Sequence, residues 1–464
     1  MNPNPITTKL NFMKPTNLFL LGLGLLLPIQ PKFWAQPVPH HFRDITALPD
    51  HTITLGLGGS VSNLFASFYD LYVIEASPNL ADWMPLVTLV RTNAKTNTLV
   101  FTDPNAAQLD RRFYRTFTNH LITAFPKPTG PYAVGTFSRL VTDPSRTNRY
   151  GVKTNSSFMV SFWYPAVAEA HLLPGAYLDK KLAESSDWAS LGVDTRVMPH
   201  LLAHGLPEAG VLGGPAPFPL VIYSHGHPTN RKMNTRTVEE LASHGYLVVG
   251  IDHMDCHSTQ FPDGRYLYGS FSSFGTAITS RIKDVQFVLE ELARMNAGNS
   301  PLEGRIDFER VGLLGMSLGG AVAAEMGRTD ARIKCIALLD GALHFEVNTQ
   351  LPEVGVGKPF LAMNNANDPA YNFWAENQAL YNVATNHAIR LRIKGSFHMW
   401  FTDMAWIAGP STTTRRAALA MDACTLSFFS HYLKDQDDHD FEASNGQPPP
   451  MQQAYPEIID LKSK

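Results

Sequence analysis

The sequence predicts an α/β protein: a doubly wound, mostly parallel sheet preceded by a small all-β sandwich-like domain. Three observations carry that expectation. From about Pro131, short apolar strands alternate with helical segments, as in PLVIYSHG, RKMNTRTVEELASHG and LVVGIDH. These strands lack a polar–apolar alternation, as strands covered on both faces do. In VGLLGMSLGG, residues 311–320, a strand runs into a small-residue helix through a serine crowded by glycines.

Taken in order, the chain opens with Lys9 and Lys14 ahead of an apolar run, Leu18 to Ile29, and a small residue at Ala35. Residues 1–35 therefore read as a secretory signal, and the protein as secreted or periplasmic. The run is shorter than the ~20 residues that span a bilayer. Phe33 suits cleavage after Ala35 poorly, which leaves an uncleaved anchor as the alternative. Residues 37–120 hold TITLGLGG, LYVIEAS, PLVTLVR and TLVFTD, separated by turn formers; this is the spacing of a sandwich. Residues 121–131, with FPKPTGP, read as a linker. The α/β unit spans 132–434. In SSFGTAITSRIKDVQFVLEELARMN, Ile278, Ile282, Val285, Val288, Leu289 and Leu292 share one helical side. VGLLGMS, CIALLD, PFLAMNN and IRLRIKG supply further strands. A Pro- and Gly-rich insertion at about 166–215 interrupts the order, with a helix expected around YLDKKLAESSDWASL. Residues 435–464 read as a loosely ordered tail.

The 464 residues are 44% hydrophobic and 17% charged, with a net charge of −3. That composition builds a sizeable core and lacks the clustered Lys and Arg of a nucleic-acid binder. Cys256, Cys335 and Cys424 are too few and too scattered for a disulfide framework or a metal motif; they read as core residues.

Gly315, Ser317 and Gly319 fit G-x-S-x-G with a strand before and a helix after. That turn forces the serine into a strained conformation and presents its hydroxyl above the sheet edge. Packing between helix and sheet accounts for Gly320 and Ala323 but not for a serine. A serine needs a base to take its proton and an acid to hold the base. With the chain order Ser, acid, His, His398 in IKGSFHMWF follows the last expected strand and is the candidate base. His387 precedes that strand, His431 and His439 lie beyond it, and His344 is too near the acid loop. For the acid, Asp340 and Asp368 each follow a strand, and spacing alone leaves both open. In many proteins of this fold the acid follows the later strand, which favours Asp368.

From Gly130 to about Lys434 the chain resembles the platelet-activating-factor acetylhydrolase family of secreted phospholipases, within the α/β-hydrolases. The resemblance rests on GPYAVG, FWYPA, PLVIYSHG, LASHGYLVVGIDH, RIDFERVGLLGMSLGG, CIALLDGAL and IKGSFHMWFTD. It implies an α/β-hydrolase fold and a serine ester hydrolase. It also implies Asp340, 23 residues after Ser317, as the acid, with Asp368 the alternative. The oxyanion hole would be formed by the backbone N–H groups of Leu318 and of His227, the residue after His-Gly. Where relatives often carry His before the serine, this chain has Met316, and a modest effect beside the elbow is expected. The pattern YVIEASPNLADWMPL…FTDPNAAQLDRRFYR resembles an immunoglobulin-like module, with Trp83 filling its core and RRFYR charging an edge strand.

The runs HGH (225–227) and HMDCH (253–257) look like metal ligands, yet both end strands on the catalytic edge, where polar loops gather. They read as groups lining the cleft or hydrogen-bonding within it, so no metal and no cofactor are expected. The expected function is hydrolysis of a short-chain or phospholipid ester through an acyl-enzyme, with contact to a lipid surface or a polymer left open. LASHGYLVV and GMSLGG also resemble cutinases and polyester hydrolases, which gives a second substrate class. The rival from another class is a non-catalytic surface-binding protein with a retired hydrolase domain. A retired domain tends to lose one of its catalytic residues, and Ser317, His398 and an acid are all present.

Overall fold

The computed structural model describes most of residues 41–464; residues 1–40, 49–52, 59–67, 81–83, 92–97, 147–155, 194–197 and shorter loop stretches lie outside the described residues. The expected signal segment, Trp83, Cys256 and His257 fall among the latter.

Six strands, β1 (His41–Ala47), β2 (Ile53–Gly58), β3 (Phe68–Ser77), β4 (Met84–Arg91), β5 (Thr98–Asp103) and β6 (Phe113–Thr123), form two small sheets. One has the order β1-β2-β5, the other β4-β3-β6, all antiparallel. Leu55 of β2 and Ile74 of β3 share one buried cluster, with Leu86, Phe101 and Tyr114 around them. The RRFYR run was expected to charge an edge. Its side chains are instead tied within the unit: Arg112 pairs with the buried Asp103 at 2.7 Å, Tyr114 donates to the same carboxylate, and Arg115 pairs with Glu75. Farther along β6, at Ile122 and Thr123, β9 (Leu201–Leu202) pairs with it in parallel on the side away from β3.

The larger unit is one ten-stranded sheet. Its strands are β7 (Ala133–Asp143), β8 (Ser156–Ala166), β10 (Leu206–Pro207), β11 (Phe218–Ser224), β12 (Leu247–Ile251), β15 (Ile306–Met316), β16 (Ile333–Leu339), β17 (Phe360–Asn365), β18 (Ala388–Ile393) and β19 (Ile458–Ser463). Between β12 and β15, β13 (Ser258–Gln260) and β14 (Tyr266–Tyr268) form a separate hairpin. The order is β10-β7-β8-β12-β11-β15-β16-β17-β18-β19, parallel from β12 through to β18. Side chains along these strands go alternately to opposite faces. Leu220, Ile222 and Leu313 join one core, Val221, Tyr223 and Leu314 the other. The first core is covered by α2 (Phe274–Ala297) and α3 (Leu318–Thr329), the second by α1 (Thr235–Ser243) and α4 (Thr412–Lys434). Each aliphatic side chain fully buried this way contributes ~1.5–3 kcal/mol, so two cores of this size fix the sheet on which the site stands. The side chain of Ser273 caps α2, accepting from the Thr276 N–H at 3.2 Å. Cys335 and Cys424 are buried, unbridged core residues.

Three expectations are corrected. The tail is ordered: a short helix (Pro450–Ala454) leads into β19, which pairs antiparallel with β18, and Ala388 and Lys464 exchange both backbone hydrogen bonds. IIDLKS buries only Ile458 fully and keeps Asp460 and Lys462 outward, so its edge-strand character hides behind a polar composition. Among the described residues, the helix expected in the insertion is limited to the four residues Lys180–Ala183, and a 3₁₀ turn, Met198–His200, follows. Tyr177, Leu182, Trp188 and Met198 of that insertion bury against Phe125, Met233 and Met404. Finally, the stretch expected as a linker is fixed in place. The Phe125 ring is 1% exposed and meets the edge of Tyr177 at 5.0 Å, and the Thr129 N–H donates to Glu240 at 2.9 Å.

Candidate active site

Ser317 sits where β15 ends and α3 begins, with φ 51° and ψ −118°. A non-glycine residue held there costs ~1–3 kcal/mol, which the surroundings must over-determine. They do so with three backbone bonds. The Ser317 N–H donates to Leu339 O at 3.0 Å, and its carbonyl accepts from Gly320 at 2.8 Å and Ala342 at 3.0 Å. The flanking glycines are required by closeness: a Cβ on Gly319 would lie 2.0 Å from the Ser224 carbonyl oxygen. Gly226 is pressed equally hard, since its Cβ would lie 2.4 Å from Met316 Sδ and 3.1 Å from Ser317 Cβ. Met316 thus props the His-Gly loop against the serine, a role its identity did not suggest.

The structure brings together three of the residues singled out in the sequence. His398 Nε2 lies 2.9 Å from Ser317 Oγ, and His398 Nδ1 lies 2.7 Å from Asp340 Oδ2. A carboxylate on Nδ1 holds the proton there and leaves Nε2 to accept from the serine hydroxyl. Asp340 is fully buried at the end of β16, with φ 46°. Its Oδ1 accepts from the Asn365 N–H (3.0 Å) and Asn364 Nδ2 (3.1 Å), and its Oδ2 from Asn365 Nδ2 (2.8 Å). Asp368 does not face the imidazole. Its Oδ2 accepts the backbone N–H of His398 at 3.2 Å. Neither asparagine nor Asp368's backbone grip was visible in the sequence, because each depends on how β17 and the loop after β18 meet.

His398 opens a single 3₁₀ turn, His398–Phe401, that is tied to the start of α1. Asn234 Nδ2 donates to Phe401 O at 2.7 Å, and the Asp403 carboxylate accepts the Thr235 N–H at 2.7 Å and the Arg236 N–H at 3.2 Å. The other histidines are occupied elsewhere. His387 bonds Tyr432 and Ser463, His344 bonds Glu346, His439 bonds Glu442, and His431 packs on Tyr432.

Leu318 is the first residue of α3, where unbonded N–H groups and the helix dipole favour negative charge. The Gly226 carbonyl accepts from His225 Nδ1 (2.6 Å), Thr229 Oγ1 (2.9 Å) and the Thr229 N–H (3.3 Å). A trans peptide points its N–H opposite its C=O, so these bonds fix the direction of the His227 N–H.

The HMDCH run was expected to line the cleft or to hydrogen-bond within it; His253, like His225 of the HGH run, is fully buried and hydrogen-bonded. His253 bridges Asp284 Oδ2 and Ser224 Oγ, each at 2.9 Å, and its N–H donates to His225 Nε2 at 3.3 Å. Arg281 pairs with Asp255 at 2.8 Å and donates to the His225 carbonyl. Burial is the main cause that holds His225 well below, and His253 below, the ordinary imidazole range. A histidine neutral in the fold but protonated when unfolded removes stability as pH falls below its unfolded value, ~6.5. Urea midpoints are accordingly expected to drop between about pH 6.5 and 5, and less steeply in His253→Asn than in the parent. An equal slope in both proteins would contradict this.

The doubly wound sheet, with Ser317, His398 and Asp340 hydrogen-bonded in line at its edge, has the α/β-hydrolase fold. The family model described as alpha/beta hydrolase fold matches residues 219–391. Within that fold the chain is similar to platelet-activating factor acetylhydrolases: the family model for platelet-activating factor acetylhydrolase, isoform II, matches residues 118–262. Platelet-activating factor acetylhydrolase of Cavia porcellus is 22% identical over 323 residues, 62% of this chain and 70% of that protein. The Gallus gallus protein of the same name is 25% identical over 41% of this chain and 54% of its own length. A probable 1-alkyl-2-acetylglycerophosphocholine esterase of Arthroderma benhamiae is 27% identical over 40% of this chain, and the match spans about half of that protein, 48%. Among solved structures, a ferulic acid esterase from Streptomyces cinnamoneus superposes with a TM-score of 0.59 at 28% identity, over 72% of this chain and 97% of that one.

Proposed function

We propose that this protein is a serine esterase that cleaves carboxylic esters through an acyl-enzyme. The observation that carries the reading is the continuous Asp340–His398–Ser317 relay at a strained elbow. Ser317 Oγ attacks the ester carbonyl while His398 Nε2 takes its proton. Asp340 keeps the imidazole in the productive tautomer and stabilises the imidazolium that forms. The N–H groups of Leu318 and His227 receive the developing oxyanion. His398 then passes its proton to the leaving alcohol and activates the water that releases the acid. Turnover falls on acidification, because an imidazolium cannot accept the serine proton. Relatives named as acetylhydrolases and as a glycerophosphocholine esterase support a short acyl group on a glycerophospholipid. The apolar run from Leu18 to Ile29 supports export across a membrane. Among the described residues, no helix is long and apolar enough to cross a membrane.

A fluorophosphonate probe tests the reading: it should label Ser317 in folded protein. Failure to label would favour a non-catalytic surface-binding protein. A second reading, an ester with an aromatic or polymeric acid part, is favoured by exposed rings. Tyr371 and Phe397 are 40% and 45% exposed beside or next to His398, and one structural neighbour is named a ferulic acid esterase. A panel of short-chain phospholipids, hydroxycinnamate esters and polyester film separates the two. Preference for the latter pair would replace the phospholipid reading.

A further inference from the structure

We propose that Tyr371 is a positioning residue for the base, with its ring face stabilising the imidazolium that His398 becomes during turnover. This rests on His398 acting as the base. The two rings stack with centroids 4.5 Å apart and planes 11° from parallel, while Phe373 turns its edge to the imidazole at 5.3 Å. Core burial does not hold Tyr371 there, since it is 40% exposed. Its backbone does: the Tyr371 carbonyl accepts from Asn365 Nδ2 at 2.6 Å, and that same nitrogen donates to Asp340 Oδ2. Asn365 Oδ1 accepts the Asp368 N–H at 2.8 Å, and Asp368 Oδ2 accepts the His398 N–H. One asparagine therefore ties the acid, the stacked ring and the loop that grips the base into a closed circuit.

The electrostatic sense of the stack follows from the ring quadrupole. An aromatic face attracts a cation and is nearly indifferent to a neutral ring. The gain is thus larger in the transition state than in the resting enzyme, which is the condition for accelerating chemistry. The titratable groups around His398 come from each neighbouring element: Asp340 after β16 on the ring, the Tyr371 phenol after β17 stacked on it, Ser317 after β15 on Nε2, and Asp368 after β17 on the backbone N–H. Among the described residues, the ring stacked on its face is that of Tyr371.

The test measures kcat/KM against pH with p-nitrophenyl acetate, an ester too small to depend on distant binding surface, for the parent, Tyr371→Leu, Tyr371→Phe and His398→Ala. Tyr371→Leu is expected to lose about 3- to 10-fold, mainly in kcat, with its acid limb moved to lower pH. Tyr371→Phe should keep both, and melting temperatures should match the parent because the side chain is part-exposed. Parent-like rate and acid limb in Tyr371→Leu overturn the proposal, as does an equal loss in Tyr371→Phe, which would assign the effect to the hydroxyl. Activity retained by His398→Ala would instead overturn the underlying reading of the base, so the two failures are told apart.

Discussion

Ser317→Ala is expected to lose about 10⁶-fold in kcat and all labelling by a fluorophosphonate. The hydroxyl is the only group that His398 Nε2 meets in the relay, at 2.9 Å. Without it, the oxyanion donors can still bind a tetrahedral species, so a small residual rate over water remains. The stability of the elbow gives a second, independent readout. Alanine keeps a Cβ at φ 51° and so keeps the strain, whereas glycine adopts that region freely. Ser317→Gly should therefore be as inactive as Ser317→Ala yet more stable, by ~1 kcal/mol or more. If the two variants melt together, the strain assigned to the serine is absent.

Asp340→Asn is expected to lose about 10⁴-fold. An amide placed on Nδ1 can present its N–H₂ to the ring, which drives the imidazole to the tautomer that cannot accept from the serine. Asn365 makes matters worse, because its Nδ2 donates to Oδ2, the atom the amide nitrogen would replace, while Oδ1 keeps its two donors. Asp368→Ala should lose only ~10- to 100-fold, through a base whose backbone is no longer gripped. The comparison is decisive for the acid. Equal losses, or a larger one at Asp368, would move the acid's role to the later strand.

These two carboxylates also show where sequence reading stops. Ser317 and His398 are legible because a strand–serine–helix junction and a post-strand histidine are local patterns. The parallel sheet is legible for the same reason: strands buried on both faces lose their alternation. Asp340 and Asp368 stand at equivalent places after neighbouring strands, and only the resemblance to a family separates them in the sequence. What distinguishes them in space is which one reaches Nδ1. Asn365 and Tyr371 act through contacts between β17, its loop and the turn at His398, and no spacing in the sequence announces those. His253 looked like a cleft residue because it follows a strand end, but its ring is buried between Asp284 of α2 and Ser224 of β11. The strand at Ile458–Ser463 escaped because its outward residues, Asp460 and Lys462, are charged, and Asp460 pairs with Arg392 rather than with a core.

The two-residue strand Leu201–Leu202 deserves a place in any attempt to divide the protein. It belongs to the insertion that packs beside the His398 turn, yet it hydrogen-bonds to β6 of the small β unit. The smaller unit grips the larger as a receptor grips an added strand. Cutting the chain near residue 124 would not free a passenger. It would strip Leu201 of its strand partner, and Leu201, whose carbonyl accepts the Tyr177 N–H, shares a buried cluster with Met404, three residues beyond the turn that carries His398. The two units are therefore best expressed, exchanged or recombined as a single inheritable piece.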